Sequence, residues 1–172
     1  MTLNRDRAAL SPSDNPNKSL AIRRANELTK NFTEPQIPVI EIAESHGVDV
    51  MFSDMGNLAD RLSGVADFRE KRIYVNVKDR PTRQAFTIAH ELGHLLLHRE
   101  AFLKSPELYP LLPRFDEPAG RNAFEVEANT FAANLLVPSH LLRPVRGAAG
   151  PAQLADVFGV SRTMMEHRLK DA

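Results

Sequence analysis

The sequence predicts an α+β domain that is mainly helical, with a small, mainly antiparallel three-stranded sheet and a C-terminal pair of helices spaced like a helix-turn-helix. Three observations carry this prediction. Apolar residues recur at helical spacing in several separated segments, most clearly from Pro81 onward and through "AFEVEANTFAANLLV". In "VDVMFS" and "LSGVADFREKRIYVNV" the pattern turns to strands. The last stretch, "GPAQLADVFGVSRTMMEHRLKDA", divides into two short helical patterns around the turn "GVS".

In chain order, the opening "MTLNRDRAALSPSDNPNKSL" is rich in Ser, Asn, Asp and Pro and has no apolar signal-peptide core, so residues 1–16 read as a flexible tail. From about Lys18 to Phe32, Leu20, Ile22, Ala25 and Leu28 follow one another at roughly one helical turn. "EPQIPVIEIAESHG" has prolines at its start and Gly47 at its end, which suits a short second helix. A strand over "VDVMFS" comes next. In the hairpin that follows, Ile73, Val75 and Val77 alternate with Tyr74 and Asn76, and the charged "REK" supplies the turn. The helix from Pro81 has its proline in the first turn. The connection "REAFLKSPELYPLLPRFDEPAGRN" contains four prolines and reads as a long loop, a length usually tied to function. A further helix runs through "AFEVEANTFAANLLV" to Pro138, and "GAAG" marks an internal boundary. The expected division is thus a main domain over residues 17–146 and a helical pair over 147–172, packed on it or appended to it.

Composition narrows the chemistry. A chain of 172 residues with a formal net charge of zero lacks the positive surplus of a strong non-specific nucleic-acid binder. It has no cysteine, so disulfides and thiolate metal sites are excluded and any metal must be held by nitrogen or oxygen. No apolar run is long enough to cross a bilayer, and the expected location is the cytoplasm.

"TIAHELGHLLLH", Thr87 to His98, carries the most specific pattern. Positions i and i+4 of a helix share a face, about 40° apart, so His90 and His94 can offer imidazole nitrogens to one ion. Glu91 points roughly 100° away and can act on water without being a ligand. This is H-E-x-x-H, the zinc metallopeptidase arrangement with glutamate as general base. Ala85, Ile88, Ala89, Leu92, Leu95 and Leu96 embed the opposite side in core, while Arg83 and Thr87 extend the histidine face as a polar cleft lining. Gly93 lowers helix propensity by about 1 kcal/mol, which a close-packed neighbour would explain. His98 continues the spacing but lies about 12 Å along the axis from His90, out of reach of the same ion. It reads as a helix C-terminal charge partner or a surface histidine.

A catalytic zinc wants a third protein ligand and an open position. In "FEVEANTFAANLL", Glu125 shares its side with Ala128, Asn129, Ala132 and Leu136, whereas Glu127 falls with Thr130 and Asn134 on a polar, solvated side. An inward carboxylate needs a partner, so Glu125 is the better ligand. Asn129, one turn on, can accept the free ring N–H of a histidine ligand, or bridge within the core. Manganese or iron would accept the same donors as zinc.

"HELGHLLLH", then "EVEANTFAANLLVP", then "LADVFGVSRTMMEHRL" together resemble the ImmA/IrrE family of bacterial and phage metallopeptidases, over roughly Ile37 to Leu169. The resemblance implies a compact zincin-like (gluzincin-like) metallopeptidase domain in the cytoplasm. It implies His90, His94 and Glu125 as metal ligands, Glu91 as catalytic base, and a protein substrate, typically a helix-turn-helix repressor of the xenobiotic-response-element type. The family's helper position after the glutamate ligand is often aspartate and is Asn129 here.

The expected reaction is peptide-bond hydrolysis, with Glu91 taking a proton from water and passing it to the departing amine. A second donor for the developing oxyanion is open among Tyr109, Arg114 and His140, and "RIYVNV" is open as a sheet edge that binds extended substrate or as a core strand. Two rival roles stand beside the enzyme. One is a regulator or toxin–antitoxin component that binds a repressor without cutting it. The other is direct DNA contact by the C-terminal pair, whose second helix offers the cations Arg162, Arg168 and Lys170.

Overall fold

The computed structural model describes residues 15–104, 113–115 and 123–171. Most of the tail read over residues 1–16 therefore lies outside the described residues. The first helix, α1 (Lys18–Thr29), starts at Asn17, whose side chain accepts the Leu20 N–H. That bond satisfies one of the orphan donors every helix start carries. Ala21, Ala25 and Thr29 line its buried face at four-residue intervals, small enough for a neighbouring helix to pass close by.

A short α2 (Val39–Ser45) ends before Gly47, whose φ of 69° turns the chain into β1 (Asp49–Ser53). After a single 3₁₀ turn at Gly56–Leu58 come β2 (Leu62–Asp67) and β3 (Arg72–Asn76), joined as the hairpin that the alternation predicts. The sheet has the order β1-β3-β2-β4, with β1 parallel to β3 and the other two pairings antiparallel. Its fourth strand, β4 (Pro113–Phe115), adds to the three legible in the sequence. β3 is bonded on both sides, so "RIYVNV" is an interior strand and not the sheet edge. Its Ile73 and Val75 are fully buried, as alternation on a core-facing strand requires.

Helix α3 (Pro81–Leu97) carries its proline at the first position, where the missing N–H is no loss. The connection read as a loop opens instead with a helix, α4 (Arg99–Lys104), held by burial of Phe102 and by Arg99 Nε donating to Phe68 O at 2.8 Å. α5 (Ala123–Leu136) lies between α1 and α3 and packs closely against both. The single turn α6 (Ser139–Leu142) follows, then α7 (Pro151–Phe158) and α8 (Arg162–Asp171). Gly159, at φ 67°, ends α7 in the left-handed conformation that glycine tolerates.

One apolar cluster joins the sheet, α3 and α5, and it includes Leu154, Phe158 and Met165 of the C-terminal pair. Arg168, one of the cations counted for a DNA-facing helix, is 3 % exposed and donates to Val137 O and Ser139 Oγ. Of the other two, Arg162 is bound to Glu166 at 2.7 Å. Among the described residues no helix is long and apolar enough to cross a membrane.

Candidate metal centre

The site forms where α3 crosses α5. His90 and His94 are one turn apart on α3 and almost fully buried, at 2 % and 1 % exposure. Gly93 between them lets α5 approach, with Phe131 and Ala128 packed directly on it, the close neighbour its helix penalty calls for. That approach brings Glu125, from the first turn of α5, onto both rings. His94 Nε2 lies 3.0 Å from Glu125 Oε1, and His90 Nε2 lies 3.3 Å from Oε2. The two Nε2 atoms are themselves 3.1 Å apart. Donor atoms of the three residues fall within 4.8 Å of one another.

Proton positions follow from the outer sides of the rings. His90 Nδ1 is 2.9 Å from Asn129 Oδ1, an acceptor, so that nitrogen carries the hydrogen. His94 Nδ1 is 3.1 Å from His98 Nδ1, and His98 Nε2 is 2.8 Å from the Glu127 carboxylate. The carboxylate takes the His98 proton on Nε2, which leaves His98 Nδ1 to accept from His94 Nδ1. Both Nε2 atoms then point lone pairs at each other and at a carboxylate. Two neutral rings and a carboxylate at such distances repel unless a metal ion or an added proton lies among them. Four tetrahedral donors at 2.0–2.1 Å from zinc stand about 3.3–3.4 Å apart, close to the spacing here. The residues present fit a small divalent ion.

Burial works to raise the Glu125 carboxyl, but its interactions with the adjacent His90 and His94 imidazoles outweigh it and hold the group well below the usual carboxylate range, as a divalent ion at the same point would. His98 is pushed down to about 4, chiefly by burial and then by the neighbouring His94, so it is a neutral ring.

Two expectations need correction. Glu127 is not solvated: it is 8 % exposed, and its Oε1 also accepts the Asn17 backbone N–H at 2.6 Å. The side of α5 that looks polar is covered by α1, and Asn134 on it is buried as well. His98 is not a surface histidine either. It is 3 % exposed and boxed by Phe124, at 4.6 Å between ring centroids, and Phe102, at 6.1 Å. The one signal for it in the sequence was its place in the same four-residue series as His90 and His94.

Glu91 is next to His90 on α3 and only 1 % exposed. Thr87, expected to line a cleft, is fully buried against Gly64 of β2. Arg83, further up the same face, donates from Nε to Ser63 Oγ at 2.8 Å. Of the oxyanion candidates, Tyr109 and the Arg114 side chain lie outside the described residues, and His140 bonds through Nε2 with Phe32 O at 2.9 Å.

Known proteins carry this arrangement into a family. The radiation response metalloprotease IrrE of Deinococcus deserti is 31% identical over 130 residues, covering 73% of this chain and 43% of that protein. Immunity region protein 2 of Bacillus phage phi105 is 37% identical over 75 residues, 42% of this chain and 41% of its own length. A solved structure, a Mycobacterium tuberculosis transcriptional regulator, shares the fold with a TM-score of 0.59 at 23% identity, over 88% of this chain and 45% of that one. The chain thus spans less than half the length of each of these three proteins. A peptidase family model described as the IrrE N-terminal-like domain matches residues 43–170, which include both helices of the site, and the chain belongs to that family.

Proposed function

We propose that this chain is a metal-dependent endopeptidase that hydrolyses a peptide bond in a protein substrate, with His90, His94 and Glu125 as ligands of a zinc ion. Its substrate on this reading is a helix-turn-helix repressor of the xenobiotic-response-element type, so that cleavage changes gene expression in the cytoplasm. The observation that carries the reading is the convergence of two imidazole nitrogens and one carboxylate within 4.8 Å of one another, a donor set that suits a small divalent ion. Kinship with a radiation response metalloprotease supports the reaction class.

A divalent ion held there supplies Lewis acidity, which makes water more acidic and polarises a carbonyl. The chain's own part falls to a few side chains. Glu91, about 100° round the helix from His90, takes the proton of the attacking water on a carboxylate oxygen and returns it to the nitrogen of the departing amine. Burial of Glu91 keeps that proton from exchanging with bulk water. Asn129 fixes the His90 ring by holding its Nδ1 hydrogen.

The test is incubation with a genomically adjacent repressor, with and without chelator, followed by mass analysis. Chelator-sensitive fragments are expected. A stable complex that yields no fragments, with metal bound, would replace the peptidase by the non-cleaving regulator.

A further inference from the structure

We propose that Glu127 and His98 are positioning residues for His94: together they place its ring proton on Nδ1 and so keep the Nε2 lone pair open toward Glu125. The inference deepens the metal-site reading, on which it rests only for His94 being a ligand; the proton order itself does not depend on a metal.

Three links set that order. The backbone N–H of Asn17, just ahead of α1, donates to Glu127 Oε1 at 2.6 Å, which leaves Oε2 facing His98. A carboxylate only accepts, so His98 donates from Nε2 at 2.8 Å, and as a neutral imidazole it keeps its lone pair on Nδ1. His94 Nδ1, 3.1 Å away, must then be the donor between the two rings. Packing makes the order compulsory. His98 is buried among the rings of His94, Phe102 and Phe124, and a ring flip would take both nitrogens away from the His94 and Glu127 atoms they now face. The outer anchor is the start of α1, so docking of that helix on α5 reaches a metal ligand through two side chains.

Replacing Glu127 by glutamine should reverse the series. Asn17 still requires an oxygen, so the new amide nitrogen faces His98 Nε2 and donates to it. His98 then carries its hydrogen on Nδ1, and His94 must move its own to Nε2, into the space where an ion would bind. Ring ¹⁵N spectra of the metal-free chain read both tautomers directly, and a Zn²⁺ competition titration reads the consequence. The expected result is Nδ1–H at His94 in the native chain, Nε2–H in Glu127→Gln, and Zn²⁺ affinity about 10–100-fold lower in the variant.

A native His94 that carries its proton on Nε2 overturns the proposal, and so does a folded variant whose His94 tautomer is unchanged. If the variant does not fold, the native spectrum decides alone. A native chain that shows the expected tautomers but takes up no Zn²⁺ supports this inference while removing the metal-site reading.

Discussion

Gly93 of α3 and Phe131 of α5 are in contact with no room for a methyl group between them: a Cβ on Gly93 would lie 3.0 Å from Phe131 Cδ1 and 3.3 Å from Ala128 Cα. The neighbouring atoms belong to a fully buried ring and a helix backbone, neither of which can swing aside. Gly93→Ala gains about 1 kcal/mol of helix propensity, but overpacking a tight core typically costs about 1–3 kcal/mol. The expected net effect is a loss of about 0–2 kcal/mol, lowering the melting temperature by up to about 8 °C at roughly 2–4 °C per kcal/mol. Because Glu125 rides on α5, metal affinity should fall too. Thermal unfolding and a Zn²⁺ titration check the two effects, and a variant unchanged in both would show that the helices have slack.

A second tight crossing holds α3 on the sheet. A Cβ on Gly64 would overlap Thr87 Cγ2 and lie 2.8 Å from the Tyr74 carbonyl oxygen. Thr87 is fully buried and Tyr74 is held through its backbone in β3, so strand and helix must separate. Gly64→Ala should destabilise by about 1–3 kcal/mol or somewhat more. Thr87→Ser removes one of the two clashing groups, and the double variant should recover part of the loss. Denaturant unfolding of the four proteins gives the coupling; strict additivity would mean that the two side chains do not share the crossing.

The parts of this molecule that were legible in its sequence are those set by local periodicity. His90 and His94 announce a shared face because helix pitch alone puts them there. Glu125 separates from Glu127 on the same projection, and the geometry brings Glu125 to the histidines. Burial of Glu127 could not be read in this way. A projection shows which side of α5 is polar but not which helix covers that side, and α1, distant in sequence, does so. His98 is hidden for a related reason: the aromatic box around it comes from α4 and α5, and α4 was lost among the prolines that follow it. Strand order is equally non-local. Nothing within "RIYVNV" states that β1 will pair with it in parallel across the hairpin.

Arg168 separates two views of the C-terminal pair. It is buried and gives hydrogen bonds to Val137 O at 3.1 Å and Ser139 Oγ at 2.7 Å, which ties α8 to the end of α5 and to α6. Arg168→Ala leaves those acceptors facing a void, so stability should fall by about 2–4 kcal/mol. A urea titration measures it. If instead the variant keeps its stability and loses affinity for DNA in a gel shift, α8 is a nucleic-acid surface.

Glu91 and Glu125 are both carboxylates beside the histidines, and substitution should divide their roles. Glu91 is nearly inaccessible, and glutamine has its shape, so Glu91→Gln should keep fold and packing. It removes the group that can accept a proton, and loss of a general base typically lowers turnover by about 10²–10⁴-fold. Glu125→Ala acts on the other property. With its carboxylate gone, a tetrahedral site loses its one anionic donor. Zn²⁺ affinity should drop far more than in Glu91→Gln, and activity should return in part at high metal concentration. Equilibrium dialysis against Zn²⁺ and a cleavage assay on the same preparations make the comparison, and a chain without cysteine offers no thiolate to blur the stoichiometry. Cleavage retained by Glu91→Gln at full metal loading would take the base assignment away from that residue. Full Zn²⁺ binding by Glu125→Ala would take the third ligand away from α5.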